Sequence, residues 1–303
     1  MAQSLERLTR RTDTLSSIRG IVRTMKTMSA INAAPFEQAA RAIDAWRETV
    51  LDGLHTFVHV AGPLPPAPLG QRRQVIVAMG SDHGLCGTYN EILAAEVARH
   101  PAARKGAHIV CVGAQLEDAL QNLGLPANIT LMPPANVVGL GRLSGDLATE
   151  LEIIRGTGEI EVALIHTRPE GQSRQGVVTQ RLLPLDDSVI ADLAHRRWTS
   201  RSLPRFDMPA ADLLAVLIRN LLFATLYRAA AEALMTENAA RLARMQQAER
   251  SVDERLDDLK SETRAVRQNE VTSELMDVIV GFEALKRRTR RTRQAAESDS
   301  VDT

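Results

Sequence analysis

From Asp207 to Leu285 the chain runs almost eighty residues with no proline after Pro209 and a single glycine, Gly281. Nothing there forces the backbone out of a helix. An unbroken helix of that length would extend on the order of 100 Å, more than one small core can hide. Its apolar residues are spaced three and four apart: Leu242, Met245, Val252, Leu256, Leu259 and Val266. That is the seam of a two-stranded coiled coil. Past the polar run Arg267, Gln268, Asn269 and Glu270 the pattern resumes one residue out of step at Val271, Leu275, Val278, Phe282 and Leu285. The change of phase predicts a local change of supercoil. The helix therefore needs a partner helix.

The other end of the chain supplies one. From about Ser4 to Val60 a stripe of Leu5, Leu8, Leu15, Ile18, Val22, Met25 and Met28 is flanked by Arg7, Arg10, Arg11, Arg19, Arg23 and Lys26. Two stripes of similar type can bury each other. Pro35 is expected to kink the first helix, since an interior proline removes a hydrogen bond. Gly62 to Gly70 reads GPLPPAPLG, a stiff, extended linker. Beyond it the period changes to short buried strands alternating with helices. Strands are predicted at Gln74 to Met79, His108 to Gly113, Glu161 to His166 and Gly176 to Leu183, and helices after Gly87, at Gln115 to Leu123 and at Leu143 to Arg155. Alternation of this kind argues for a parallel-rich sheet covered by helices.

The expected class is α+β: a long antiparallel coiled coil of the N- and C-terminal helices with an inserted α/β domain. The boundaries are 1–61 for the first helix, 62–72 for the linker, 73–200 for the sheet domain and 207–285 for the second helix. The basic tail 286–303 is read as disordered, because it has too little apolar surface to offset the entropy of ordering it.

Composition narrows the function classes. Aromatics are only 3%, which suits extended helices better than a sandwich core. Lys plus Arg equals Asp plus Glu at 37 each, so charge gives no case for a nucleic-acid partner. Cys86 and Cys111 form no secreted-type framework and read as reduced thiols of a cytosolic protein. The most apolar run, Leu213 to Tyr227, is broken by Arg219 and Asn220 and falls short of the ~20 residues of a membrane span. The basic N-terminus lacks the apolar core of a signal peptide.

Several stretches invite chemistry. Gly80 to Gly87, GSDHGLCG, follows a strand and precedes a helix, as a phosphate cradle does. It lacks both the Walker lysine and the G-x-G-x-x-G spacing, and a tight strand-to-helix turn is the better reading. Ser81, Asp82 and His83 are consecutive and cannot line up nucleophile, base and orienter. His55 and His59, four apart, have no third zinc ligand beside them. The run Lys286 to Arg293 reads as a solvated tail. No catalytic residue, metal or cofactor is expected.

Four stretches carry a resemblance. They are IVRTMKTMSA from Ile21, GSDHGLCGTYN from Gly80, TENAARLARM from Thr236, and RQNEVTSEL from Arg267. Together, in this order and spacing over about residues 1 to 285, the chain resembles the gamma subunit of F-type ATP synthases. The resemblance implies a rotor shaft inside a hexamer of alternating alpha and beta subunits, one gamma chain per complex. Its foot would meet the epsilon subunit and the ring of c subunits. It implies a peripheral place on the cytoplasmic face of the bacterial inner membrane. It also implies contacts to the surrounding subunits from Arg23, Met25, Lys26, Arg241, Arg267, Gln268, Thr272 and Glu274, with catalysis belonging to the other subunits. His83, Thr88, the stretch Asn32 to Phe36 with Pro35, and the arginine-rich tail depart from the family's pattern. They suggest an alternate bacterial ATPase, for which sodium is an alternative coupling ion. The competing readings are a nucleotide-binding α/β enzyme with helical arms and an unrelated coiled-coil scaffold.

Overall fold

The computed structural model describes residues 2–64, 71–156, 158–170, 174–198, 201–202 and 204–299. Most of the expected linker, 65–70, lies outside them. Two units divide the chain, Met1–Thr24 with Gln246–Thr303, and Met25–Met245.

Helix α1 spans Ala2–Ala61 and helix α7 spans Ala210–Asp299. Pro35 lies inside α1 and does not end it. Helix α7 begins at Ala210, where the Asp212 and Leu213 amides donate to the Pro209 carbonyl. It runs past Leu285 to Asp299, against the expectation of a disordered end. Residues 286–299 contain neither Gly nor Pro and include five Arg, so local propensity carries the helix onward.

In the first unit the two helices pair antiparallel. Arg19 lies 2.6 Å from Asp253, and Arg23 lies 2.8 Å from Glu249, so four residues forward in α1 correspond to four residues back in α7. Leu8 and Val22 are buried on one helix, and Val252 and Leu256 on the other. Carrying this register the seventeen residues from Arg19 back to Ala2 moves the opposite position from Asp253 to about Glu270. That is where cover ends. Val271 is 50% exposed and Phe282 66%, and Leu275, Val278 and Leu285 are exposed as well. The break of pattern at Arg267 is thus not a slipped seam: half-buried positions continue in the old phase at Leu259, Val266 and Ser273, while the new apolar row faces outward. On α1 the seam recurs every seven residues at Leu8, Leu15 and Val22, which leaves Ile18 40% exposed and off the stripe.

The second unit is built on a five-stranded sheet. Strands β1 (Arg73–Met79), β2 (His108–Val112), β3 (Ile129–Leu131) and β4 (Ile160–Glu170) are parallel, and β5 (Arg174–Leu183) pairs antiparallel with β4, in the order β3-β2-β1-β4-β5. Alternate residues of β1 go to opposite faces, and both faces are covered. Val75, Val77 and Met79 pack with α5 (Leu140–Arg155) through Leu143, Leu147 and Leu151. The same cluster takes in Phe36, Ala39 and Ala40 of α1 and Leu226, Ala229, Ala230 and Leu234 of α7. Ile76 and Ala78 join Leu93 and Val97 of α2 (Tyr89–Arg99), Ala102 of α3 (Pro101–Arg104) and Leu116 and Leu120 of α4 (Ala114–Asn122). A smaller cluster joins Val50 and Leu54 of α1, Leu193 of α6 (Asp187–His195) and Leu221 of α7. Ser29 is buried where the expected stripe has Met28, itself 56% exposed.

Within α7 an 18-residue window between Ala210 and Glu283 passes, by length and composition only, the apolar test for a membrane span, although the sequence expectation held that Arg219 and Asn220 break the run. In the structure Leu221, Ala224 and Leu226 of that stretch are buried in the protein.

Candidate functional site

The glycine turn after β1 closes on itself. The Ser81 amide donates to Asn90 Oδ1 at 3.0 Å, and Asn90 Nδ2 donates back to Ser81 Oγ at 2.8 Å. Ser81 Oγ donates to the His83 carbonyl at 3.1 Å, and the Ser81 carbonyl accepts from the Gln115 amide at 3.0 Å. Backbone approaches are close enough to require glycine: at Gly113, with φ at +99°, a Cβ would stand 2.4 Å from the Ser81 carbonyl oxygen. Ser81 is fully buried while His83 is 82% exposed, so the Ser-Asp-His run assembles no relay. Burial pushes the Cys86 thiol up, and that of Cys111 up to about 12, so neither is poised as a nucleophile.

What fills the turn is a side chain of α7. Arg241 Nη2 donates to the His83 carbonyl at 3.0 Å, and Nε donates to Gly84 at 3.4 Å. The same guanidinium meets Glu237 at 2.5 Å, and both side chains are almost wholly buried. Burial drives the Glu237 carboxyl above its ordinary value, against the pull of Arg241. Arg241, expected to contact a surrounding subunit, directs these donors into its own chain.

A second set of bonds holds α7 further back along the helix. The Tyr89 hydroxyl donates to the Ala233 carbonyl at 3.0 Å and lies 2.7 Å from Thr167 Oγ1, and burial raises its pKa. Gln175 of β5 donates to the Thr236 carbonyl at 2.8 Å. His166 Nε2 stands 3.1 Å from Glu232, whose other oxygen accepts from Arg228 Nε at 3.0 Å, and Arg228 Nη1 reaches Asp44 of α1 at 2.8 Å. Burial works against the Glu232 charge, but hydrogen bonds from His166 and Arg228 outweigh it and hold the carboxyl below its ordinary value. One carboxylate thus ties β4, α7 and, through Arg228, α1.

The other expected contact residues stand differently. In the first unit Arg23 is exposed and paired with Glu249, and Arg267, Gln268, Thr272 and Glu274 are exposed on α7. In the second, Met25 and Lys26 are half-buried on α1. His55 Nε2 lies 2.8 Å from the Arg196 carbonyl, and His59 stacks on Trp198 with centroids 5.2 Å apart, so both histidines pack the segment after α6. Among the described residues no group of three or more His, Cys, Asp or Glu could hold a metal. The roles of Arg241, Glu237, Tyr89 and Glu232 in this latch escape a reading of the sequence. The burial of polar residues in the TENAAR stretch is invisible to periodicity.

Within Met25–Met245, fold and site define a structural subunit: two terminal helices latched to an α/β sheet, with the glycine turn as the seat of an arginine. Known proteins agree. The ATP synthase family matches residues 4–285. The ATP synthase gamma chain of Nitratidesulfovibrio vulgaris strain Miyazaki F is 27% identical, the match covering 86% of this chain and 92% of that one. That of strain Hildenborough is 30% identical over 70% of this chain and 73% of its own length. A chain in the solved mitochondrial ATP synthase of Euglena gracilis, comprising OSCP, F1 and c-ring, superposes with a TM-score of 0.66 at 14% identity, covering 94% of this chain and 95% of that one. The chain belongs to the ATP synthase gamma-chain family.

Proposed function

We infer that the chain is the central stalk of an F-type ATP synthase, a non-catalytic subunit that couples rotation to nucleotide turnover on other subunits. The observation that carries this reading is the end of α7. Beyond about Glu270 the helix presents exposed apolar side chains at Val271, Leu275, Val278 and Phe282. Such a row is stable in water only when something encloses it. A hexamer of alpha and beta subunits encloses it in this reading, with Arg23, Met25, Lys26, Arg267, Gln268, Thr272 and Glu274 as polar contacts. Arg241 is proposed with them, while it also binds inside its own chain.

The finer assignments follow from the same reading. Epsilon and the c ring are the partners of the sheet domain, and the complex sits peripherally on the cytoplasmic face of a bacterial inner membrane. Departures at His83, Thr88 and Asn32 to Phe36 suit an alternate ATPase. Work is done by differences in binding energy between conformations of the catalytic subunits, which an asymmetric shaft biases in turn. The test is co-expression with the alpha and beta subunits of the same organism. The expected product is a complex with one copy of this chain per hexamer, whose ATP hydrolysis falls when the chain is omitted. Elution of the chain apart from a fully formed hexamer would overturn the reading.

A further inference from the structure

In the second unit the face of β4 that meets α7 changes character along its length. Ile160, Val162 and Leu164 are alternate residues, and they share a core with Ala229, Ala230 and Leu234 of α7. The next residue on that face is His166. It is 3% exposed, with Nε2 3.1 Å from Glu232 and Nδ1 without a hydrogen-bond partner. A carboxylate only accepts, so Nε2 carries the hydrogen of this bond. The bare Nδ1 is a polar atom taken out of water with nothing in exchange, and a leucine at 166 would continue the apolar face without that cost.

The surface of α7 gives the imidazole its use. Ala229, Ala230 and Ala233 make the helix shallow where it lies on the sheet. Helices lock against a neighbour when ridges of side chains enter grooves, and alanines raise only low ridges. Apolar packing of this kind holds the helix close but opposes sliding and turning weakly, whereas hydrogen bonds are directional. Tyr89 and Gln175 bond to the carbonyls of Ala233 and Thr236 and so secure α7. Glu232 reaches further: it accepts from Arg228, whose Nη1 meets Asp44 of α1 at 2.8 Å.

We propose that Glu232 is a positioning residue for rotary coupling. With His166 it sets the rotation and axial register of α7 on the sheet, and through Arg228 it passes that register to α1. The proposal rests on the central-stalk reading and adds to it the joint at which a turning moment on the sheet domain enters both terminal helices of the second unit. An apolar pair of similar volume is often no less stabilising than a buried polar one, so what His166 and Glu232 add is geometry. Glu232 therefore matters more for coupling than for folding.

Two measurements test it. In the full chain alone, spin labels on Leu123→Cys, just after α4, and Val216→Cys of α7, both exposed, report the spread of distances between sheet domain and helix; Cys86 and Cys111 are buried and stay unlabelled. His166→Leu combined with Glu232→Leu is expected to melt no lower than the parent and to broaden that spread. In the complete enzyme, assembled with its membrane sector in vesicles, ATP hydrolysis is followed together with a voltage-sensitive dye, which reads any coupling ion. The double variant is expected to keep its hydrolysis and to lose about tenfold in the initial rise of potential per ATP hydrolysed, since small misplacements far from the chemistry carry losses of that order. The exchange of His166→Glu with Glu232→His is expected to restore both readouts. Glu232→Gln, which keeps the side-chain shape, is expected to show a smaller loss in the same direction and decides the matter where the double variant does not assemble. An unbroadened spread with coupling intact overturns the proposal and leaves the stalk reading standing. Coupling losses that follow the melting temperature across all variants overturn it as well, in favour of a purely structural role. Failure of the parent chain to join the hexamer overturns the stalk reading, and with it the coupling role, while the spin-label spread still decides whether Glu232 sets the register.

Discussion

Arg241 Nη2 reaches the His83 carbonyl oxygen at 3.0 Å, which plugs the glycine turn with a cation held by α7. The same group neutralises Glu237, whose side chain is 7% exposed. Removing one partner of such a pair leaves the other charge buried and uncompensated. Arg241→Ala should therefore cost about 3–5 kcal/mol of unfolding free energy, read from urea melts of the chain followed by circular dichroism. Arg241→Met combined with Glu237→Leu should lose less than Arg241→Ala alone. Equal losses would show that the turn contacts, and not the charge pair, set the cost.

Leu256 and Leu275 look alike in a helical pattern but differ in cover. Leu256 is 5% exposed in the seam, and Leu275 is 58% exposed. Leu256→Ala should destabilise the chain by about 2–5 kcal/mol, and Leu275→Ala by less than about 0.5 kcal/mol. Replacing Leu275, Val278 and Phe282 together by serine should leave the melting of the free chain unchanged. In pull-downs with the alpha and beta subunits it should weaken capture.

Acid titration separates Glu232 from Glu237. The folded pKa of Glu232 is held below its ordinary 4.5, so its contribution to stability is complete above that value and is lost as the pH falls through the depressed folded pKa. The folded pKa of Glu237 is raised, so its contribution declines as the pH rises from 4.5 through the raised value. Thermal melts across the acid range should show a shallower acid loss for Glu232→Gln than for the parent. For Glu237→Gln they should show a steeper one.

Gly113 and Gly145 test the backbone. At Gly113 a Cβ meets the Ser81 carbonyl at 2.4 Å and φ is +99°, so Gly113→Ala should destabilise by about 1–3 kcal/mol or more. At Gly145, inside α5, a Cβ meets nothing within 4 Å, and Gly145→Ala should stabilise by about 0.5–1 kcal/mol. Differential scanning calorimetry of the two variants checks both signs.

The sequence pattern delivers the long helices and four of the five strands because each carries a sustained period. It misses β3, where three half-buried residues, Ile129 to Leu131, are too few to show one, and α6, whose nine residues precede the Trp198 segment. It also cannot tell an apolar row covered by its own chain from one that awaits another chain: Val252 and Val278 satisfy the same spacing. Nothing local in the sequence marks Arg241 as bound to the glycine turn. Only the packing of α7 on the glycine turn reveals its target.

The unequal lengths of the two terminal helices have a mechanical corollary. Where α1 and α7 run side by side, winding either one must shear the leucine and valine contacts between them. From Val271 to Phe282, where the apolar row is exposed, twist is opposed chiefly by the helix's own hydrogen bonds. Torsional give is therefore concentrated in that last stretch, and a load applied there is absorbed as elastic winding before it reaches the paired portion.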